Sequence, residues 1–446
     1  MNAVASFFTN LMRRWLPDPL VIAIILTLLA MILAMTWGGS TPMMVVQYWG
    51  DGFWNLLAFT MQMTVILLAG YMLAKTPIVD RLLDRLAETV KSPRAAIILI
   101  TLVGGIGSWL NWGFGLVAGG IIGRKIAGHV KGLHYPLAIA AGYSGFSVYG
   151  IGLSGTVPLL IATEDNFVQE QMGGTVPLSE TILGPWVGGM AIATIVLLPL
   201  FNAFMHPKDP SQIKEYRPAE HDVVVAELEP LPEDESRLFG PRMNDSPLWG
   251  ILIGAIGLVY AVMHFVNGGQ LDLNIVNIIL LMLGMLMFAR PRHYLHALND
   301  AVKVVAGVIV QYPFYAGIMA ILVGSGLIVS FSELFTSIST AETLPLWSFI
   351  SGGITNILVP SGGGQFAVQG PVMLEASNAL GANNAAVALA VQIGDQWTNL
   401  VQPFWVVPVL AITGLKLKDV MGYMVLILAF VGVIFGVGVG LWGFLG

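Results

Sequence analysis

Apolar residues come in runs of about twenty along most of the chain, and polar residues collect between them. A helix of that length, about 30 Å at about 1.5 Å per residue, is what crossing the hydrocarbon core of a bilayer requires. Uninterrupted spans are predicted at about 20–37, 53–74, 181–204, 248–266, 274–289, 304–329 and 419–445. Two further runs, about 136–163 and 385–413, are long enough but broken by glycine and polar residues. The first holds Ser144-Gly145-Phe146-Ser147-Val148-Tyr149-Gly150 and Ser154-Gly155-Thr156. The second holds Gly394-Asp395-Gln396-Trp397-Thr398-Asn399 and Gln402-Pro403.

Lys and Arg placement orients these runs. All 20 fall in a few clusters: Arg13 and Arg14, Lys75 to Arg94, Arg124 to Lys131, Lys208 to Arg242, Arg290 to Lys303, and Lys416 with Lys418. Each cluster is cytoplasmic under the positive-inside rule. The Lys- and Arg-free stretches 38–52, 164–180, 267–273, 330–345 and 375–384 are then external. The apolar run at about 95–123 begins and ends beside cytoplasmic clusters. It makes roughly 40 Å of helix where two crossings need roughly 60 Å, so it is predicted to enter and turn back. Its tip is Asn111-Trp112-Gly113-Phe114-Gly115. The run at 346–374 begins and ends outside and is predicted as a second re-entrant hairpin, with Pro360-Ser361-Gly362-Gly363-Gly364-Gln365 at its tip. Three glycines after a proline do not form ordinary helix interior. In lipid, such backbone survives only where protein or a water-filled cavity shields it. The expected fold is an all-α polytopic membrane protein of about nine crossings, N-terminus in and C-terminus out.

Composition agrees: 56% of the 446 residues are hydrophobic and 10% charged, against about 25% charged in soluble domains. Without cysteine, disulfides, thiolate metal sites and cysteine nucleophiles are excluded. The start of the chain has no signal-peptide cleavage pattern, and the first span is long enough to stay in the membrane. Prolines and mixed charge mark 205–247 as a cytoplasmic linker, either a plain connector or a regulatory docking segment.

The two sides of this linker resemble each other at an offset near 249. Asp51 and Gln62 correspond to Asp300 and Gln311, Gly104-Gly105-Ile106 to Gly352-Gly353-Ile354, and Val157–Thr163 to Val407–Thr413. With 248–266 as a lone linking helix, the repeats 1–204 and 267–446 have opposite orientations. Inverted repeats with discontinuous helices meeting near the midplane are a common design of secondary transporters.

The chemistry available at that centre is neutral. Hairpin tips and helix breaks expose N–H groups and positive dipole ends that attract anions, and exposed carbonyls suit a cation. No Lys or Arg lies at membrane depth in either hairpin or broken span. The candidate substrate-binding residues are Asn111, Gly113, Gly115, Ser144, Ser361, Gly362, Gly363, Gly364, Gln365 and Gln402. Asp395, with Thr398 and Asn399, is the candidate coupling-ion site. An intramembrane carboxylate is a functional candidate by default, as proton carrier or sodium ligand, with a structural acid at a helix break as the alternative. Trp112, Trp397 and Trp405 are candidates for an apolar wall, although interface anchoring is the commoner role. The seven histidines follow no ligand spacing. No nucleophile–base pair, metal motif or Walker sequence is present, no partner aspartate accompanies Gly394-Asp395, and nothing points to nucleic acid.

Several stretches resemble the AtoE-type short-chain fatty acid transporter family, essentially end to end. They are Arg14–Leu20, Trp49–Phe59, Asn111–Leu116, Pro360–Gly364, Gln369-Gly370-Pro371 and Gln402-Pro403-Phe404-Trp405. The resemblance implies a non-enzymatic carrier of short-chain fatty acids or acetoacetate-like monocarboxylates in a bacterial inner membrane. No cofactor is implied beyond a coupling Na+ or H+. Kinship with the ion-transporter superfamily further implies a homodimer and an elevator motion.

Overall fold

The computed structural model describes residues 17, 19–216, 231–402, 405–406, 409–410 and 413–446. Arg13, Arg14, Pro403 and Phe404, the middle of the linker and part of the Val407–Thr413 repeat match lie outside them. Every regular element among the described residues is helical.

The first half runs α1 (Pro19–Thr36), α2 (Pro42–Gly52), α3 (Leu57–Ala74), α4 (Pro77–Glu88), α5 (Pro93–Leu110) and α6 (Trp112–Ala127). α7 (Tyr135–Ser144) continues as a tightened turn (Gly145–Ile151) and, after a break, as α8 (Thr156–Ala162). α9 (Gln169–Met172) and α10 (Pro185–Phe204) complete it. Local chemistry fixes several starts. In Thr41-Pro42, Thr76-Pro77 and Ser92-Pro93 a hydroxyl caps the helix and a proline takes its first position. These hydroxyls accept from the N–H groups of Met44, Val79 and Ala95 at 3.3, 3.4 and 3.4 Å.

After the linker come α11 (Pro247–Val266), α12 (Leu273–Phe288), α13 (Pro291–Gly324), α14 (Leu327–Ile338), α15 (Leu344–Leu358), α16 (Gly362–Leu380), α17 (Asn384–Thr398) and α18 (Leu417–Leu445). A short tight turn (Asn399–Val401) ends α17. Eight segments among the described residues are long and apolar enough to cross a membrane. Seven coincide with predicted spans, and the eighth is α5, the leading arm of a predicted hairpin. α12 falls short at 16 residues, and 385–413 is only partly described.

Two expected external loops are instead largely helical. α2 fills most of 38–52 and packs on α13; α14 enters 330–345 and packs on α16. Leu327, Ile328, Phe331, Leu334, Phe335 and Ile338 recur at three- and four-residue spacing, an amphipathic signal that the absence of Lys and Arg obscured. The linker is also less free than its composition suggests. Tyr135 N–H donates to Lys214 O at 2.8 Å, Lys214 N–H to His134 Nδ1 at 3.0 Å, and Gly132 N–H to the Glu215 carboxylate at 2.5 Å. The start of the linker is thereby held against the start of α7.

The two halves are packed on one plan. α5 and α6 form a helical hairpin, as do α15 and α16, and each hairpin lies on a broken helix, α7 or α17. α3 packs on α6 as α13 packs on α16, and α10 backs α5 as α18 backs α15. α1 and α12 are exchanged, α1 lying on α13 and α12 on α3. Glycine contacts repeat as well. A Cβ on Gly145 would lie 2.2 Å from Gly105 N, and one on Gly394 would lie 2.7 Å from Gly353 N. The hairpins and broken helices form the buried centre. α11 turns Ile253, Ile256, Val259 and Val262 outward, as a lipid-facing helix does.

Candidate functional site

The two hairpin tips are built alike. Asn111 caps α6 and Ser361 caps α16, with extended φ/ψ of −153°/127° and −154°/107°. Asn111 Oδ1 accepts from Phe114 N–H at 2.9 Å; Ser361 Oγ accepts from Gly364 N–H at 3.4 Å. Each tip is tied to a neighbour. Trp112 N–H donates to Ser154 Oγ at 3.0 Å in the break between α7 and α8, and Ser361 Oγ donates to Tyr312 Oη of α13 at 3.2 Å.

Glycine at the second tip lets aromatic side chains press on the first turn of α16. A Cβ on Gly362 would lie 2.8 Å from Tyr149 Oη, one on Gly363 2.6 Å from Tyr312 Oη, and one on Gly364 2.4 Å from the Tyr315 ring. Between these groups lies a small cavity. Met63, Val308 and Tyr312 of α3 and α13 form one side. Trp112, Phe146, Tyr149, Thr156, Trp405 and the tip Ser361-Gly362-Gly363 form the rest.

The polar groups facing this space are mostly donors. The opening N–H groups of α16 have no acceptor within the helix. Tyr312 Oη already accepts from Ser361, so its own proton points elsewhere. Trp112 is 5% exposed, and its indole N–H has no partner among the described residues. Among the described residues no Lys, Arg or His lines the cavity. Donors without a formal positive charge, beside aromatic walls, suit a small anion carrying an apolar group.

Tyr149 connects the cavity to a buried acid. Its hydroxyl donates to Asp395 Oδ2, which also accepts from Gln392 Nε2 and Asn399 Nδ2, both at 3.2 Å. Asp395 is 1% exposed, and its Oδ1 has no partner among the described residues. Asn356 of α15 fixes this end of α17, donating to Asp395 O, Thr398 Oγ1 and Asn399 Oδ1 at 2.9, 2.9 and 2.8 Å. A buried carboxylate with no cation beside it is electrostatically expensive.

Ser361, Gly362 and Gly363 therefore face the cavity, with Asp395 and Asn399 behind Tyr149. Other sequence-selected residues serve packing or bonding nearby. A Cβ on Gly113 would lie 2.8 Å from Leu67 O, and one on Gly115 2.0 Å from Ser108 N. Ser144 Oγ accepts from Asn202 Nδ2 at 2.9 Å, in a separate polar knot that includes Thr101. Gln365 Nε2 donates to Gly352 O at 2.8 Å, and Gln402 Nε2 to Asn356 O at 2.7 Å. Trp112 and Trp405 line the cavity. Trp397 does not: it donates to Leu428 O at 2.7 Å and packs on Phe349.

Sequence reasoning gave no role to Tyr149, Tyr312, Met63, Asn356 or Gln392. The repeat offset carried a signal for some of them. Met63 and Tyr312, Trp112 and Ser361, and Thr156 and Trp405 are each 249 positions apart and all line the cavity.

The profile of the family described as Short chain fatty acid transporter matches residues 1–442. A protein of Escherichia coli named "Putative short-chain fatty acid transporter" is 39% identical over 446 residues, covering 99% of this chain and 100% of that protein. One of the same name from Haemophilus influenzae is 36% identical, covering 98% and 99%. Among solved structures, the Alcanivorax borkumensis YdaH transporter, described as having an unusual topology, aligns with a TM-score of 0.58. That alignment has 14% identity and covers 96% of this chain and 98% of that one; it supports the shared fold. Among the described residues no group of three or more His, Asp or Glu side chains is placed to hold a metal ion.

Proposed function

The chain belongs to the short-chain fatty acid transporter family, and from that premise we propose that it carries short-chain monocarboxylates such as butyrate or acetoacetate in symport with a cation. The observation that carries this reading is the donor-lined cavity at the start of α16, joined through Tyr149 to the uncompensated Asp395. The substrate carboxylate takes the free N–H groups of Gly362 and Gly363 and the Tyr312 hydroxyl, and its acyl chain lies against Met63, Val308, Trp112 and Trp405. A second buried negative charge beside Asp395 is strongly unfavourable in a low dielectric. A cation, Na+ or H+, is therefore bound at Asp395, Thr398 and Asn399 when the substrate is.

The shared packing plan, exchanged α1 and α12, and matched tips support two inverted repeats, 1–204 and 267–446, joined by the linker 205–247 and the helix at 248–266. In this reading α5–α6 and α15–α16 are re-entrant hairpins entered from opposite faces of a bacterial inner membrane, with the N-terminus in and the C-terminus out. Met63, Val308 and Tyr312 belong to a scaffold, and the hairpins with their broken helices form the unit that moves against it. The resemblance to elevator transporters extends the proposal to a homodimer.

Uptake of radiolabelled acetate, butyrate, acetoacetate and a dicarboxylate into proteoliposomes, with sodium and proton gradients imposed separately, tests this. Accumulation of butyrate driven by one gradient and lost on its collapse is expected. Preference for the dicarboxylate, or accumulation indifferent to both gradients, would sink it.

A further inference from the structure

Tyr149 Oη carries one proton, and two anions compete for it: Asp395 and whatever carboxylate occupies the cavity. In the structure the hydroxyl donates to Asp395 Oδ2. Gln392 Nε2 points at the same oxygen from 3.1 Å, and Asn399 Nδ2 from 3.5 Å. Amide hydrogens thus occupy the lone-pair side of the phenol, leaving its proton to Asp395. Yet Tyr149 also lines the cavity, with its oxygen against the Gly362 backbone.

We propose that Tyr149 is a hydroxyl switch that makes carboxylate binding depend on protonation of Asp395, so that the coupling cation is a proton. With Asp395 ionised, the Tyr149 proton is held by the acid, and the cavity presents a phenol oxygen that repels a carboxylate. When a proton adds to Asp395 at its unpartnered Oδ1, Oδ2 becomes a neutral carbonyl and a much weaker acceptor for the phenol proton. The phenol proton then turns toward the cavity and donates to the substrate. One proton enters with one carboxylate, no covalent bond other than the acid O–H forms, and the loaded site gains no net charge. Among the described residues, the titratable side chains around Asp395 are Tyr149, on the turn after α7, beyond it Tyr312 of α13, and Tyr143 of α7, whose hydroxyl donates to Asn399 O. α15 holds no charged residue, α16 only the distant Glu375, and α18 only Lys418 and Asp419 near its start.

This inference rests on the monocarboxylate reading, and equilibrium binding of radiolabelled butyrate to the purified full chain between pH 5 and pH 8 tests it. Wild-type affinity should weaken as pH rises, by up to about tenfold per unit once Asp395 ionises. Tyr149→Phe should lose about tenfold or more at pH 5, where the phenol donates to the substrate, and little at pH 8, where it does not. An equal loss at every pH marks a merely structural tyrosine and overturns the proposal, as does no loss at all. Asp395→Asn imitates the protonated acid, because its uncharged carbonyl is a similarly weak acceptor for the Tyr149 proton. Its butyrate affinity should be flat with pH, and adding Tyr149→Phe should cost the same factor throughout. A pH-dependent Asp395→Asn variant, or a double variant as tight as Asp395→Asn alone, overturns the switch even if Tyr149→Phe alone is unstable. If the wild type binds butyrate with no pH dependence, the switch falls and the substrate reading stands; if it binds no butyrate at any pH, both fall.

Discussion

Ser361 uses one hydroxyl twice, as acceptor for the Gly364 N–H and as donor to Tyr312. Ser361→Ala removes a cap contributing about 1 kcal/mol and frees Tyr312 from its partner. The variant should fold, and its butyrate Kd should rise several-fold in the binding assay; an unchanged Kd would move the anchor away from α16. At Gly104 the expected damage is to folding. A Cβ there would lie 2.2 Å from Gly142 O, and backbone cannot yield as a flexible side chain does. Gly104→Ala should cost about 1–3 kcal/mol, visible as a lower Tm in detergent. The sequence disclosed Ser361–Gly363 because a Pro-Ser-Gly-Gly-Gly stretch has no place inside a membrane helix. Tyr149 and Tyr312 were hidden because a tyrosine in an apolar run looks like any other core aromatic. Only the partner brought to it by folding, Asp395 for one and Ser361 for the other, gives it a role.

Elements behave differently according to what backs them. Phe349 and Trp397 pack in a tilted arrangement, with ring centroids 4.9 Å apart, where α15, α17 and α18 meet. Trp397→Ala should therefore cost about 3–5 kcal/mol in unfolding experiments, while the surviving protein keeps its butyrate KM; a raised KM would return Trp397 to the binding wall. At the start of α7, His134 accepts the Lys214 N–H one residue before the apolar span that begins at Tyr135. Burial, with smaller contributions from His206 and Lys214, pushes its pKa down to about 4 from 6.5. The unfolded chain then takes up a proton that the folded chain refuses, so this contribution is complete above pH 6.5 and is lost as pH falls toward 4. Thermal melts should show a Tm decline over that window that is smaller in His134→Gln; an identical decline in both proteins would remove His134 from the account. Helix positions were legible because apolar runs and Ser/Thr-Pro starts are local signals. The hold of His134 on Lys214 was not, since it joins residues 80 positions apart across a stretch whose composition reads as linker.

For the whole molecule, the proposed repeat rests on a few short matches at an offset near 249, and it is supported by parallel helix contacts in the two halves. What sequence could not supply was which faces of the two halves meet, because that depends on packing among apolar surfaces alike in composition. The proposed orientation has a direct check, since the chain contains no cysteine and any thiol introduced is the sole target. Gly268→Cys should react with an impermeant maleimide from outside intact cells and Ser211→Cys only after lysis; the reverse pattern would invert the topology. The cavity wall also has a mechanical consequence. Its lining is divided between α3 and α13 on one side and the hairpins with their broken helices on the other, and the Ser361 hydroxyl, donating to Tyr312, ties the tip to α13. In the proposed elevator reading, sliding of one group past the other would strip the cargo of Met63, Val308 and Tyr312 together, while leaving it on the α16 dipole and in reach of Tyr149. Grip and release then become a matter of shear, in which the cargo exchanges one sidewall for another without leaving its anchor, and no separate door has to open.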